Sequence, residues 1–440
     1  MARYSAENAI PHGGAWGRPA PITPVPIPTI CLRRSKRRAA IGYVLAVQGP
    51  TNQAAAEQFK IRRGSWAGVP PAFQDLKFTR TLQNTIFSAM HSPGKPSYWI
   101  EVEDWHTAGE PFRIVHSLPA GHLPASPTVA QRRADITATP GHPLDELRRL
   151  LCHEPRGHAG MYGGFITPPD DSGAHFGVLF WHRNGFSTAC GHGTIALGYW
   201  ALFHRIVAVP PDADDGPVDV VVDVPSGRVV ARMAVEKGKP VHADFINVAS
   251  FQLTGPLYLT LPSCGVDVLV DLAFAGAVYA SVDAAQFGLE IEPGNAQRFV
   301  QLAREVEALL GTRARYGSYG LYGVIFFSEE ENGPGATRAI YQRNVTIFAD
   351  GEVDRSPCGS GTCARLALLL AQGKLGPGSS RLVHRSIIAS TFEADIVSAV
   401  ASPVDGFAAC IPRVRGRANL VGQTKFFIDP DDEVFPGFLL

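Results

Sequence analysis

The sequence predicts a mixed α/β (α+β) fold built from two similar halves, and three observations carry that prediction. A short motif, C-G-x-G-T-x-A, occurs twice, as Cys190-Gly-His-Gly-Thr-Ile-Ala and Cys358-Gly-Ser-Gly-Thr-Cys-Ala, 168 residues apart. Short β-rich runs recur before, between and after the two copies. Apolar stripes at helical spacing interrupt those runs.

Folded structure is expected to begin near Tyr98, where Trp99-Ile-Glu-Val-Glu alternates and Phe112-Arg-Ile-Val-His forms a short β-rich run after the Gly109-Glu-Pro turn. Leu144, Leu147, Leu150 and Leu151 recur at helical spacing, as do Phe299, Leu302, Val306, Leu309 and Leu310, each stripe lying opposite Arg and Glu. Strands are expected at Phe176-Gly-Val-Leu-Phe-Trp, Val218-Asp-Val-Val-Val-Asp-Val, Tyr322-Gly-Val-Ile-Phe-Phe and Asn344-Val-Thr-Ile-Phe. Both motif copies follow a β-rich stretch and open an apolar helical run, Ile195 to Phe203 and Ala364 to Ala371.

A chain of 440 residues is long enough for more than one core, and nothing in its length forces oligomerisation; a homodimer is permitted. Hydrophobic residues make up 45% and charged residues 18%, with Lys+Arg and Asp+Glu equal at 40, so the overall charge argues against a nucleic-acid partner. That neutrality hides an asymmetry. Residues 1–97 carry 13 Lys/Arg against 3 Asp/Glu, and the Pro-dense Pro19-Ala-Pro-Ile-Thr-Pro-Val-Pro-Ile-Pro stretch suits neither helix nor central strand. Residues 1–97 are expected to be a poorly ordered basic extension, and Cys31-Leu-Arg-Arg-Ser-Lys-Arg-Arg a solvated run rather than an address.

The expected halves are 98–265 and 266–425, with 426–440 returning to the first. No apolar stretch is long enough for a membrane helix, since Val266 to Val282 is broken by Asp267 and Asp271. Seven scattered cysteines do not resemble a disulfide framework, which points to a reducing, cytoplasmic setting.

The repeat carries the chemistry. A Cys followed by Gly-x-Gly at the first turn of a helix places a thiol beside unpaired backbone N–H groups, a site for anions. The positive helix end is expected to lower the thiol pKa and make it a base near neutral pH. Two such turns related by pseudo-twofold symmetry set two thiols on opposite faces of a bound carboxylate, the geometry that stereoinversion requires. A single Cys before Gly is usually a small buried hydrophobe; the matched pair, Cys190 and Cys358, raises catalysis above that reading. Cys363 falls inside the second helix with no zinc-like partner spacing, so no metal is expected, and Cys31, Cys152, Cys264, Cys363 and Cys410 are read as structural.

At these residues the sequence resembles the proline racemase family, whose marks stand here as Ala189-Cys-Gly-His-Gly-Thr and Asp354-Arg-Ser-Pro-Cys-Gly-Ser-Gly-Thr. The resemblance extends to Trp105-His-Thr-Ala-Gly-Glu-Pro-Phe-Arg-Ile-Val, His153-Glu-Pro-Arg-Gly-His-Ala-Gly-Met-Tyr-Gly and Asp271-Leu-Ala-Phe-Ala-Gly-Ala-Val-Tyr-Ala, covering roughly residues 98–440. It implies a diaminopimelate-epimerase-like fold, two halves each wrapping a sheet around a central helix, with the site in the cleft. It implies no metal, pyridoxal phosphate or nicotinamide, and a small amino acid as substrate. Carried over by position, the amides of Gly191, His192, Gly359 and Ser360 bind the carboxylate, and Asp354 with His192 contacts the ring nitrogen. Tyr162 and Phe348 line the ring pocket, with Ser187 beside it.

For Asp354 the residues alone favour a turn or N-cap role, and for His192 an exposed helix start; the resemblance reverses both. Family members with Cys in both places are racemases of proline or 2-epimerases of 4-hydroxyproline. Those with Thr in the second place are trans-3-hydroxyproline dehydratases. Cys358 puts this chain with the first group, whereas the surroundings of Ser187 and Tyr162 read like the dehydratases, so dehydration is the alternative. A catalytically silent binder of prolyl carboxylates is the reading from another class, and the intact Cys190, Cys358, Asp354 and His192 argue against it. Ala108 and Ala275 stand where the family usually has Gly.

Overall fold

The computed structural model describes residues 29–34, 43–48, 96–209, 215–331, 339–378 and 380–439. The chain divides into two compact units, residues 1–90 and 91–440. In the first, Thr29–Arg34 pairs antiparallel with Tyr43–Gln48, so part of the basic run expected to be solvated lies in a strand. The rest of the expected disorder in residues 1–97, the Pro19–Pro28 stretch included, falls outside the described residues up to residue 95.

In the larger unit one pairing scheme occurs twice. Tyr98–Thr107 is antiparallel to Glu110–Val115, which runs parallel to Tyr162–Thr167; that strand is antiparallel to Phe176–His182, which runs parallel to Asp215–Val224. Gly227–Glu236 and Lys239–Ile246 follow antiparallel. The same order of antiparallel and parallel neighbours runs through Val266–Phe274, Val278–Asp283, Tyr319–Glu329, Ala339–Phe348, Arg381–Ser386, Thr391–Val400 and Ala409–Gly416. Lys239–Ile246 pairs with Ala409–Gly416 and joins the two series. Ser250–Gln252 bonds both Val266–Phe274 and Ala409–Gly416, closing the second series on itself, and Ala418–Ile428 lies antiparallel to Tyr98–Thr107.

Parallel neighbours require a crossover, and here every crossover holds a helix. Helices α1 (Val129–Ala138) and α2 (Pro143–Cys152) precede Tyr162–Thr167, and α3 (Gly191–Phe203) precedes Asp215–Val224. Helices α4 (Ala296–Leu310) and α5 (Gly359–Ala371) hold the equivalent places in the second series. The helices α2 and α4 are one-sided. Leu144, Leu147, Leu150 and Leu151, and Phe299, Leu302, Val306 and Leu310, are buried against the outside of the sheet.

The helices α3 and α5 are buried on nearly every side and mostly apolar, as a helix enclosed by its sheet must be, and the one charged side chain of α5, Arg365, is held by Gln342 and Ser281. Ile195, Leu197 and Trp200 of α3 and Cys363, Leu366 and Leu369 of α5 are buried in one continuous core with strand residues of both series. Each large side chain so buried contributes about 1.5–3 kcal/mol, so this core fixes the first turns of α3 and α5 in place. No helix among the described residues is long and apolar enough to cross a membrane. The six described cysteines are free thiols, and Cys264, read as structural, is exposed in a hairpin turn. Of the two alanines that replace glycine, Ala108 takes the left-handed conformation with φ of 52°, whereas at the other turn Gly276, beside Ala275, takes it with φ of 83°.

Candidate active site

Helices α3 and α5 meet at their first residues. A Cβ added to Gly191 would lie 2.6 Å from Gly359 Cα, and one on Gly359 would lie 2.6 Å from Gly191 Cα and 3.0 Å from His192 N. Only two glycines permit this approach of backbone to backbone. Cys190 and Cys358 are the N-cap residues, and each sulfur accepts a hydrogen bond at 3.3 Å from the N–H three residues on, Gly193 for Cys190 and Gly361 for Cys358. The second glycine of the motif has a reason of its own: a Cβ on Gly193 or Gly361 would stand 2.8 Å from the capping sulfur. The first helical amides, of Gly191 and His192 and of Gly359 and Ser360, have no acceptor within their helices.

The two thiols are not held alike. Cys190 has extended backbone (φ −156°), whereas Cys358 has φ of 63° with ψ of 109°, a conformation that costs a side-chain-bearing residue free energy and that persists where its surroundings enforce it. Here the enforcing contacts are short. Asp354 Oδ1 accepts from both the N–H and the hydroxyl of Ser356 at 2.8 Å, and Ser356 Oγ accepts from the Cys358 N–H at 3.1 Å. Asp354 is therefore a turn residue, as its sequence context alone indicates, and its charge also reaches both thiols.

The helix ends do not leave the thiols acidic. For Cys190, burial pushes the pKa well up, the Gly193 N–H pulls it down and Asp354 pushes it up again. For Cys358 burial comes first, then Asp354, with the Gly361 N–H opposing. The expected lowering by the helix N-terminus is present and is outweighed by desolvation, because Cys190 is 4% and Cys358 6% exposed.

His192 is buried rather than exposed. Its ring nitrogens lie 3.5 and 3.6 Å from Cys190 Sγ, and its ring meets Phe112 and Tyr162 edge-on. Burial and Arg355 push its pKa down to about 3, against a hydrogen bond with the Pro111 carbonyl, so the imidazole is neutral at pH 7. The Ser360 hydroxyl bonds Tyr279 Oη at 2.7 Å, and Cys358 Sγ donates to the same phenol at 3.9 Å.

Tyr162, Ser187 and Phe348 come together beside Cys190 and His192. The hydroxyls of Tyr162 and Ser187 are hydrogen-bonded. Tyr162 Oη also bonds Tyr322 Oη at 3.0 Å, and Tyr322 lies stacked on Phe348 with centroids 5.8 Å apart. Tyr322, Tyr279, Ser356 and His182 were not anticipated, nor was the pair Glu110–Arg355. Arg355 Nε stands 3.0 Å from Glu110 Oε2, its N–H donates to the same oxygen at 2.8 Å, and its guanidinium donates to Gly160 O at 2.7 Å. These contacts tie the loop before Cys358 to the first series of strands. Burial and the Asp354 charge push Glu110 well up, with Arg355 opposing.

Among the described residues no three His, Cys, Asp or Glu side chains converge as a metal-holding group. A separate cavity of about 350 Å³, lined by His116, Phe176, Trp200 and His204 among others, lies beside the far end of α3 and contains none of the site residues named above.

Comparison with known proteins gives the family. The family model described as proline racemase matches residues 102–439. The trans-3-hydroxy-L-proline dehydratase of Bacillus thuringiensis subsp. konkukian is 39% identical over 349 residues, spanning 77% of this chain and 97% of that protein. The human protein of the same name is 36% identical over 359 residues, spanning 80% and 96%. Among solved structures, the hydroxyproline epimerase of Agrobacterium vitis with bound trans-4-hydroxy-L-proline is 28% identical, with a TM-score of 0.67 over 78% of this chain and 96% of that one. A probable proline racemase from Agrobacterium radiobacter K84, with bound carbonate, is 28% identical with a TM-score of 0.69 over the same shares. With its paired N-cap thiols inside the region so matched, the chain belongs to the proline racemase family.

Proposed function

We propose that this chain inverts Cα of proline or 4-hydroxyproline without a cofactor, using Cys190 and Cys358 as opposed acid and base. The observation that carries the reading is the pair of N-cap thiols on two helices whose first residues touch. The substrate carboxylate takes the free amides of Gly191, His192, Gly359 and Ser360, where helix N-termini also stabilise the charge that develops as it becomes enediolate-like. Burial keeps both thiols protonated without substrate, and on binding, the countercharge of the ring ammonium favours one thiolate as that thiol releases its proton to solvent. That thiolate takes the Cα proton from one face, the opposite thiol donates its proton to the other, and the ionised thiol has changed sides when the product leaves. Asp354 and His192 face the ring nitrogen.

A second reading, dehydration of trans-3-hydroxy-L-proline, is favoured by the names of relatives 36–39% identical to this chain. There one thiolate takes the Cα proton, the C3 hydroxyl leaves as water after gaining a proton, and the enamine tautomerises to a cyclic imine. Incubation with L-proline, trans-4-hydroxy-L-proline and trans-3-hydroxy-L-proline in D₂O separates the readings. Inverted product carrying deuterium at Cα is expected from proline or 4-hydroxyproline. Imine from the 3-hydroxy compound with no inversion of the other two overturns inversion in favour of dehydration, and silence toward all three favours a binder.

A further inference from the structure

Three hydroxyls, of Ser187, Tyr162 and Tyr322, form a chain joined by two hydrogen bonds, one within the first series of strands and one spanning 160 residues to the second. Three hydroxyls carry three protons, and two links use two of them. The third O–H is left to donate outside the two links, and the terminal oxygens keep lone pairs to accept. Tyr162, in the middle of the chain, also bonds the Cys190 thiol, and Tyr322 is the end of the chain that reaches toward both thiols. Its phenol interacts with the charges of both Cys190 and Cys358, and its ring stands 5.6 Å from that of Tyr279, which bonds Cys358 and Ser360. Burial pushes the pKa values of Tyr162 and Tyr322 well above their ordinary range, so both remain donors at any physiological pH.

Phe348, the apolar side chain at the ring pocket, is crowded by aromatic and polar neighbours. The Tyr322 ring lies nearly parallel to it and offset, at 12° and 5.8 Å, while Tyr162 and His182 pack on it at 5.9 and 6.0 Å. Among these rings the hydroxyl chain is the polar surface that Tyr162 and Tyr322 bring to the place. Filling such a place with a methylene leaves a buried donor unpaired, a cost that sites built around a substrate hydroxyl turn into selectivity.

On the prolyl reading above, we infer that Tyr322 is the specificity-determining residue of this site: its phenol hydroxyl, backed by Tyr162 and Ser187, bonds a hydroxyl on the substrate ring and disfavours the bare ring of proline. Tyr322 takes no part in the proton transfers at Cα.

The test compares kcat/KM for Cα deuterium exchange of L-proline, trans-4-hydroxy-L-proline and trans-3-hydroxy-L-proline, in the wild type and in Tyr322→Phe. The variant keeps the ring stacked on Phe348, and its melting curve reports whether the fold survives. The wild type is expected to prefer at least one hydroxylated ring over proline by about tenfold or more, and Tyr322→Phe to bring that ratio within about threefold of unity, mainly through KM for the hydroxylated ring. A wild type that handles proline as well as either hydroxyproline overturns the inference while leaving stereoinversion standing, whether or not the variant folds. So does a Tyr322→Phe variant with an unchanged ratio. Exchange from none of the three compounds overturns the prolyl reading together with the inference.

Discussion

Gly191 and Gly359 meet backbone to backbone, each leaving only 2.6 Å between a Cβ it might have carried and the Cα of the other. This contact fixes the separation of the two helix starts and hence of the two thiols. Gly191→Ala and Gly359→Ala must both push the starts of α3 and α5 apart, because the neighbouring atom in each case is main chain. Displacement of reacting groups by about 1 Å costs on the order of 100-fold in rate. Each variant is expected to lose at least that much Cα exchange with a near-native circular dichroism spectrum, and near wild-type exchange in either would show that the helix starts do not set the geometry.

The motif was legible because its residues answer to local demands. Cys caps the helix, the first Gly allows the helix starts to touch, and the second sits beneath the sulfur. Helices α3 and α5 were legible as apolar runs, though their first turns are occupied by the motif itself and so carry no apolar signal. What escaped was whatever depends on partners distant in sequence. Tyr322 lies in Tyr322-Gly-Val-Ile-Phe-Phe, where an aromatic reads as strand core, and its partner Tyr162 is 160 residues away. Glu110 and Arg355 are 245 residues apart. The thiol pKa was misjudged for the same reason, since a helix end is visible in sequence and the degree of burial around it is not.

Removal of one thiol should separate exchange from inversion. In Cys190→Ala the remaining Cys358 can still take a proton from the face it addresses and return deuterium to that face, and Cys358→Ala leaves Cys190 in the mirror position. Each variant is expected to lose inversion by at least about 1000-fold, within the usual contribution of a single acid or base of about 100- to 10,000-fold, and to wash deuterium slowly into opposite enantiomers. Inversion near the normal rate in either variant rules out the two-thiol mechanism.

Deletion of residues 1–95 is expected to leave turnover unchanged and the melting temperature within about 2 °C, the shift of roughly 1–1.5 kcal/mol in a domain of this size. The strand Tyr98–Thr107 pairs from its first residue with Ile428, and the family match starts at residue 102. A truncated protein that fails to fold would show that the extension packs on the enzyme.

Glu352 gives a pH signature with a defined sign. It is 3% exposed, and its nearest counterion is Arg183, with Nε at 3.3 Å from Oε1. Burial pushes its pKa up to about 8, with Arg183 and Arg355 opposing, whereas in the unfolded chain a Glu titrates at about 4.3. The folded state therefore keeps a proton that the unfolded state releases. The stability contributed by this group is complete below about pH 4 and is lost as the pH rises toward 8, with a slope approaching about 1.4 kcal/mol per pH unit. Glu352→Gln keeps the shape of the protonated acid and cannot titrate. The unfolding free energy of the variant minus that of the wild type, measured by urea denaturation, is expected to grow from pH 5 to pH 8 and to level off above it. Taking this difference isolates Glu352 from the buried imidazoles of His182, His192 and His384, whose pKa values are pushed down to about 3 and whose contribution falls as the pH drops below about 6.5. A difference that stays flat across the range would mean that Glu352 is ionised in the folded protein and that the Arg183 charge, rather than burial, sets its state.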